Sequence, residues 1–154
     1  MLGGVVIVMR RVETGEVYSG EISLEYFRKD KFKEKSYLDA SLKIIAKGIK
    51  KLDIKTKESL YVCSGYVLSS IREYLRSKGY MVTKKKITGI TQDIAEKEFK
   101  NSLVELGVGS MSEVESMRSY YGYIEWLKKD FPAREKYVKT GWSSWAKWKK
   151  DINV

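Results

Sequence analysis

The sequence predicts an α/β fold: an N-terminal β-hairpin followed by alternating helices and strands in a mixed sheet, with an extra C-terminal helix and a Trp/Lys-rich tail. Three patterns predict it. Two β-rich runs flank a turn near the start; three segments of helical periodicity then alternate with two short apolar runs; and three tryptophans recur three apart near the end.

Gly4–Arg11 reads as the first strand, because Val5, Val6, Ile7 and Val8 form a β-branched run. Being apolar on both faces, it suits a central position. Residues 12–16 form a turn in which Gly15 is free to take a positive φ. Val17–Phe27 alternates Val17, Ser19, Glu21 and Ser23 against Tyr18, Gly20, Ile22 and Leu24, the pattern of a half-exposed returning strand.

Residues 28–35 are a charged connection. Ser36 and Asp39 have capping-box spacing, and Leu38, Leu42, Ile45, Ile49 and Leu52 follow at helical intervals, with Lys43, Lys47, Lys50 and Lys51 on the wet side. Ser59–Cys63 is a short apolar strand broken by Ser64-Gly65. Val67, Leu68, Ile71, Tyr74 and Leu75 mark the next helix, which Gly79 ends. Tyr80–Ile87 is another strand, with Lys84, Lys85 and Lys86 near its end. Thr91 caps a helix that places Ala95, Phe99, Leu103 and Leu106 on one face and stops at Gly107 and Gly109. Ser112 and Glu115 form a second capping box, and Val114, Met117, Tyr121 and Ile124 carry one helix toward Pro132. Residues 1–131 are therefore expected to form a single α/β domain, and 132–154 a basic aromatic segment packing on it or extending from it.

The chain has 154 residues, 43% hydrophobic and 32% charged. A chain of that length buries roughly 68–70% of its unfolded surface and can fold without staples. No apolar run approaches the ~20 residues of a membrane-spanning helix. Leu2–Met9 is too short for a signal sequence, and Arg10 and Arg11 follow it where a basic region should precede it, so an intracellular, cytoplasmic protein is expected.

Cys63 is the single cysteine, so no internal disulfide can form, and there is no histidine. Ser-His and Cys-His catalysis and His-based zinc sites are excluded. Amides are limited to Gln92, Asn101 and Asn153, while Lys and Glu abound. That balance is the one reported for hyperthermophile proteins, and a thermophilic source, archaeal or an archaeal virus, is the expectation.

The net charge is +10, from 30 basic and 20 acidic residues, and it is uneven. Residues 1–25 hold Arg10 and Arg11 against Glu13, Glu16, Glu21 and Glu25, whereas residues 128–154 hold eight basic and three acidic groups. Such a surface favours polyanions: nucleic acid first, then an anionic membrane surface touched peripherally. The alternative is a Lys-rich surface that only keeps the protein in solution.

Four groups of residues are candidates for chemistry. Ser64 and Gly65 lie where a helix N-terminus can cradle an anion, although no P-loop motif is present and Cys63 lacks the following Arg of a Cys-based phosphatase loop; an ordinary helix cap with a buried cysteine is the simpler account of them. Lys84, Lys85 and Lys86 can pair with phosphates or guard an edge strand, with Lys84 and Lys86 on one face and Lys85 on the other. Trp142, Trp145 and Trp148 can stack on unpaired bases while Lys147, Lys149 and Lys150 hold phosphates; they can equally pack on the domain, join a homo-oligomer, or lie on an anionic membrane. The acids Asp39, Asp93 and Glu96 are the last group.

The order of elements over residues 4–107 resembles the ribonuclease H-like superfamily, in which antiparallel strands lead into alternating helices and parallel strands. That resemblance implies carboxylates converging on Mg²⁺ ions, one on the first strand and one at the end of the next central strand. Gly4–Arg11 carries no acid and Ser59–Cys63 ends in Cys63-Ser64, so both core acids are missing. Asp39 and the acid-x-x-acid pair Asp93 and Glu96 remain, and each also has a structural role as a first-turn or solvated helix acid. The expectation is accordingly a non-catalytic nucleic-acid-binding protein needing no cofactor. The alternatives are a Mg²⁺-dependent nuclease using Asp39, Asp93 and Glu96, and an assembly module using the C-terminal helix and Trp segment.

Overall fold

The computed structural model describes residues 1–117 and 119–152. The α/β class and the N-terminal hairpin are present, and the strands are divided between two separate two-stranded sheets where one mixed sheet was expected. β1 (Val5–Arg10) pairs with β2 (Val17–Ile22), and β3 (Ser59–Val62) pairs in parallel with β4 (Met81–Lys84). The helices are α1 (Lys29–Lys33), α2 (Ser36–Lys51), α3 (Tyr66–Ser77), α4 (Ile90–Glu105), α5 (Met111–Ser116), α6 (Tyr120–Lys129), α7 (Phe131–Arg134) and α8 (Trp145–Ile152). The chain forms two compact units, each discontinuous in sequence. Unit 1 comprises Met1–Val6, Glu21–Tyr37 and Lys97–Val154; unit 2 comprises Ile7–Gly20 and Leu38–Glu96. The division therefore does not fall at residues 131–132.

In unit 2, α2 lies close against the hairpin because two positions lack side chains. A Cβ at Gly48 would lie 2.3 Å from the Met9 sulfur and 2.7 Å from the Tyr18 ring, and one at Gly20 would lie 2.7 Å from Ile44. A glycine inside a helix costs about 1 kcal/mol relative to alanine, so Gly48 is tolerated for the close approach it permits. Gly48→Ala is expected to destabilise by about 1–2 kcal/mol despite its better helix propensity, read as a lower urea midpoint of the far-UV circular dichroism transition. An unchanged or higher midpoint would show that the interface yields. Arg11, just past β1, donates to Glu58 at 2.5 Å and to the Leu52 carbonyl at 2.8 Å, tying the hairpin to the loop between α2 and β3. α3 buries Val67, Ile71 and Leu75 at helical intervals and lies against β4. Gly79, at φ +86°, ends it as expected.

The core of unit 1 draws on distant parts of the chain. Leu2, Leu103, Val108, Val114, Met117, Ile124, Trp126, Leu127, Val138, Trp145, Trp148 and Ile152 form one buried cluster. The N-terminal segment is pinned to it by a bridge between Leu2 and Val138 and by the Gly3 N–H donating to the Tyr137 carbonyl at 3.0 Å.

Three local expectations are corrected. The charged connection 28–35 contains the short helix α1. Thr91 lies inside α4, which starts one residue earlier. The single helix expected toward Pro132 is three. Two S-x-x-E frames overlap in Ser110–Ser116, and the complete capping box forms in the earlier one, between Ser110 and Glu113. The helix it starts ends at Ser116. Ser119 then caps α6 through the Gly122 N–H at 3.1 Å, and Asp130 caps α7, with Pro132 in its first turn.

Candidate nucleic-acid interface

The parallel pairing of β3 and β4 sets the geometry of the candidate surface. The register pairs Ser59 with Met81, Leu60 with Val82, Tyr61 with Thr83 and Val62 with Lys84. Side chains alternate across a strand, so Leu60, Val62 and Val82 share one face and are half-buried, while Ser59, Tyr61, Met81 and Thr83 share the other and are exposed. The second face is open: Tyr61 is 56% and Met81 53% accessible, high values for large side chains on paired strands.

Lys84, Lys85 and Lys86 follow directly and are all exposed. Only Lys84 belongs to β4, so the expectation of three lysines alternating on one strand is corrected: hydrogen bonding to β3 continues to the Lys85 N–H, which donates to the Val62 carbonyl at 3.0 Å, and Lys86 lies beyond it. The Lys85 ammonium stands 4.8 Å from the centroid of the Tyr61 ring. Among the described residues none of the three lysines is ion-paired. Sequence reasoning missed Tyr61 and Met81. The alternation within Ser59–Val62 was the available signal, since it sets Tyr61 opposite to Leu60 and Val62.

Because β3 and β4 are parallel, the loops leaving them lie at the same edge. This brings Ser64 and Gly65 beside the lysine loop. Gly65 caps α3 with no side-chain cap bond. The Gly65 N–H, followed by those of Ser64 and Ile87, bonds the Cys63 sulfur and holds its thiol below the ordinary pKa, against the opposing effect of burial. Cys63 is half-buried, not the buried small hydrophobe expected. Arg72, buried on α3, donates to the Cys63 carbonyl at 2.5 Å and fixes the same loop from below.

The three candidate acids are each exposed. Asp39 lies in the first turn of α2 and Asp93 in that of α4, where a negative charge suits the helix dipole. Glu96 accepts a hydrogen bond from Gln92 at 2.9 Å. Among the described residues no group of three His, Cys, Asp or Glu side chains could hold a metal ion, so these carboxylates do not fit Mg²⁺.

The tail separates into buried indoles and exposed cations. Trp145 and Trp148 are each 8% accessible and sit in the core of unit 1, where Trp145 stacks on Phe131 at 6.1 Å. Their expected stacking on bases is therefore corrected: both rings are already covered by protein. Trp142 precedes α8, stacks on Phe32 at 6.2 Å, and buries an indole N–H that has no partner among the described residues. Lys147 and Lys150 are exposed and Lys149 is half-buried, 5.5 Å from the Trp145 ring. Residues 153 and 154 of this segment lie outside the described residues. No helix among the described residues is long and apolar enough to cross a membrane.

Comparison with known proteins gives no further guide: no family model, curated protein or solved structure matches the chain.

Proposed function

We propose that the chain is a nucleic-acid-binding protein that grips its ligand through the open edge of unit 2. One observation carries the reading: Lys85, exposed and without an ion-pair partner among the described residues, stands 4.8 Å from the exposed ring of Tyr61 on an uncovered sheet face, with the exposed Lys84 and Lys86 next to it in sequence. Cations already neutralised by carboxylates release few counterions from a polyanion, whereas unpaired ones release them fully. The charge of the unit agrees, with 14 basic residues against 8 acidic ones. Binding without cleavage is the form this reading takes, since a Mg²⁺-dependent nuclease needs its carboxylates gathered, and Asp39, Asp93 and Glu96 form no such group. A cytoplasmic location belongs to the same reading.

The test is the salt dependence of binding to labelled 20-nucleotide DNA and RNA, followed by fluorescence anisotropy. The slope of log K against log[salt] is expected to be negative, near −0.9 per phosphate neutralised on duplex DNA. Changing Lys84, Lys85 and Lys86 together to alanine is expected to flatten it by up to about 3, close to 1 for each phosphate that is no longer neutralised. Absence of binding at low salt, or an unchanged slope in the triple variant, would overturn the assignment of this edge.

A further inference from the structure

We infer that the ligand of this edge is single-stranded, with an unpaired base stacked on Tyr61. The inference rests on the nucleic-acid reading and narrows it. The lysines alone do not distinguish a strand from a duplex, because both present phosphates. The uncovered apolar surface does distinguish them. Tyr61 and Met81 share the exposed face of the β3–β4 pair, on adjacent strands and two residues apart in register. A duplex keeps its base faces stacked inside and would set its phosphates against this apolar patch. A single strand offers a π-face to the tyrosine ring and a phosphate to the lysines within the same few nucleotides.

The position of Lys85 supports this arrangement. Its ammonium lies over the Tyr61 ring at 4.8 Å, so the aromatic and the cation are offered together. Both side chains are exposed, and Lys85 is free to swing toward a backbone phosphate as a base takes its place on the ring. The opposite face of the same strands offers no comparable open apolar surface, because Leu60, Val62 and Val82 are half-buried there. The tryptophans of the tail cannot serve either, since Trp145 and Trp148 are covered.

The experiment compares a mixed-sequence 20-nucleotide single-stranded DNA, the same sequence as RNA, and the DNA duplex, each titrated with the full chain and with Tyr61→Ala, Tyr61→Phe and Tyr61→Trp. The single strands are expected to bind more tightly than the duplex at equal salt. Tyr61→Ala is expected to weaken single-strand binding about 5- to 150-fold, the range for one stacked base, and to leave duplex binding and the salt slope unchanged. Phenylalanine and tryptophan at the same position should retain binding, which separates stacking from loss of the hydroxyl. Tyr61 is exposed, so these variants should fold, and far-UV circular dichroism checks this. Equal losses on strand and duplex, or no loss with Tyr61→Ala, would overturn the stacking inference while leaving a purely electrostatic nucleic-acid interface in place. A Tyr61→Ala variant that binds normally but dissociates a self-associated species in light scattering would also overturn it, assigning the face to a second copy. Failure of any nucleic acid to bind would remove both readings.

Discussion

Trp148→Ala is expected to cost about 3–5 kcal/mol of stability, the range for truncating a buried aromatic side chain to alanine. The reason lies in what α8 does for unit 1. Trp148 is 8% accessible and belongs to a core assembled from Leu2 at one end of the described chain and Ile152 at the other. Its neighbour Trp145 meets it edge to face at 6.5 Å, a favourable aromatic geometry that the substitution also removes. α8 is held to α6 by the Tyr120 hydroxyl, which donates to the Asp151 carboxylate; burial, reinforced by that carboxylate, pushes the Tyr120 pKa up to about 12. Four residues beyond Trp148, Ile152 is buried in the same cluster, so a cavity at 148 opens beneath a helix of only eight residues. All four tryptophans belong to unit 1, so the fluorescence of the three that remain reports the unfolding of that unit alone. The measurement is the urea midpoint of that fluorescence transition. Trp142→Ala, at a half-buried ring, should shift it less. A loss below about 1 kcal/mol for Trp148→Ala would mean that α8 contributes surface and not core, and would make the tail a ligand-binding candidate again.

That contrast shows what the sequence made legible. The spacing of Leu38, Leu42, Ile45, Ile49 and Leu52 marked α2 because a 3.6-residue period has one structural solution at that length. The hairpin, β3, α3 and the glycine stops at Gly79 and Gly107 were readable for similarly local reasons, and both glycines do take positive φ. Legibility failed where two local solutions compete. Ser110-x-x-Glu113 and Ser112-x-x-Glu115 are equivalent capping frames on paper, and the box forms in the first, on a helix that ends at Ser116. It failed also where long-range packing decides. A three-residue spacing of tryptophans states that Trp145 and Trp148 share a helix face, and says nothing of whether that face meets solvent, a base or Leu2. For the candidate site, Lys84, Lys85 and Lys86 stood out by composition, and Tyr61 did not. A tyrosine in a four-residue apolar run reads as core until the pairing with β4 and the packing of α3 leave its face uncovered. The same pairing set Ser64 and Gly65 beside the lysines, a proximity separated by some twenty positions in sequence and visible only once the two strands are known to be parallel.

The second large effect concerns a charge buried where apolar packing would serve better. Lys139 is 5% accessible in unit 1, with its ammonium 3.0 Å from the Leu2 carbonyl and near the rings of Phe27 and Phe99, at 5.6 and 5.9 Å. Burial lowers its pKa from 10.5 to about 8, with Glu21 acting in the other direction. Below pH 8 the lysine is protonated in both folded and unfolded chains, and the whole burial penalty is present. Between pH 8 and 10.5 the unfolded chain binds the proton that the folded chain has released, so stability rises with pH through this window, and above 10.5 the gain is complete. At 1.36 kcal/mol per pKa unit the penalty at neutral pH is about 3 kcal/mol. Lys139→Met keeps the volume and the aromatic contacts, removes the charge, and leaves the Leu2 carbonyl without its donor at a cost of about 1 kcal/mol. The variant is therefore expected to be more stable than the parent by about 2 kcal/mol at about pH 7, with the advantage vanishing or reversing near about pH 10. Urea midpoints of the tryptophan fluorescence transition at the two pH values check this. A variant less stable at neutral pH, or an advantage that does not change with pH, would show that the ammonium contributes more through the Leu2 carbonyl and the two aromatic faces than its burial costs.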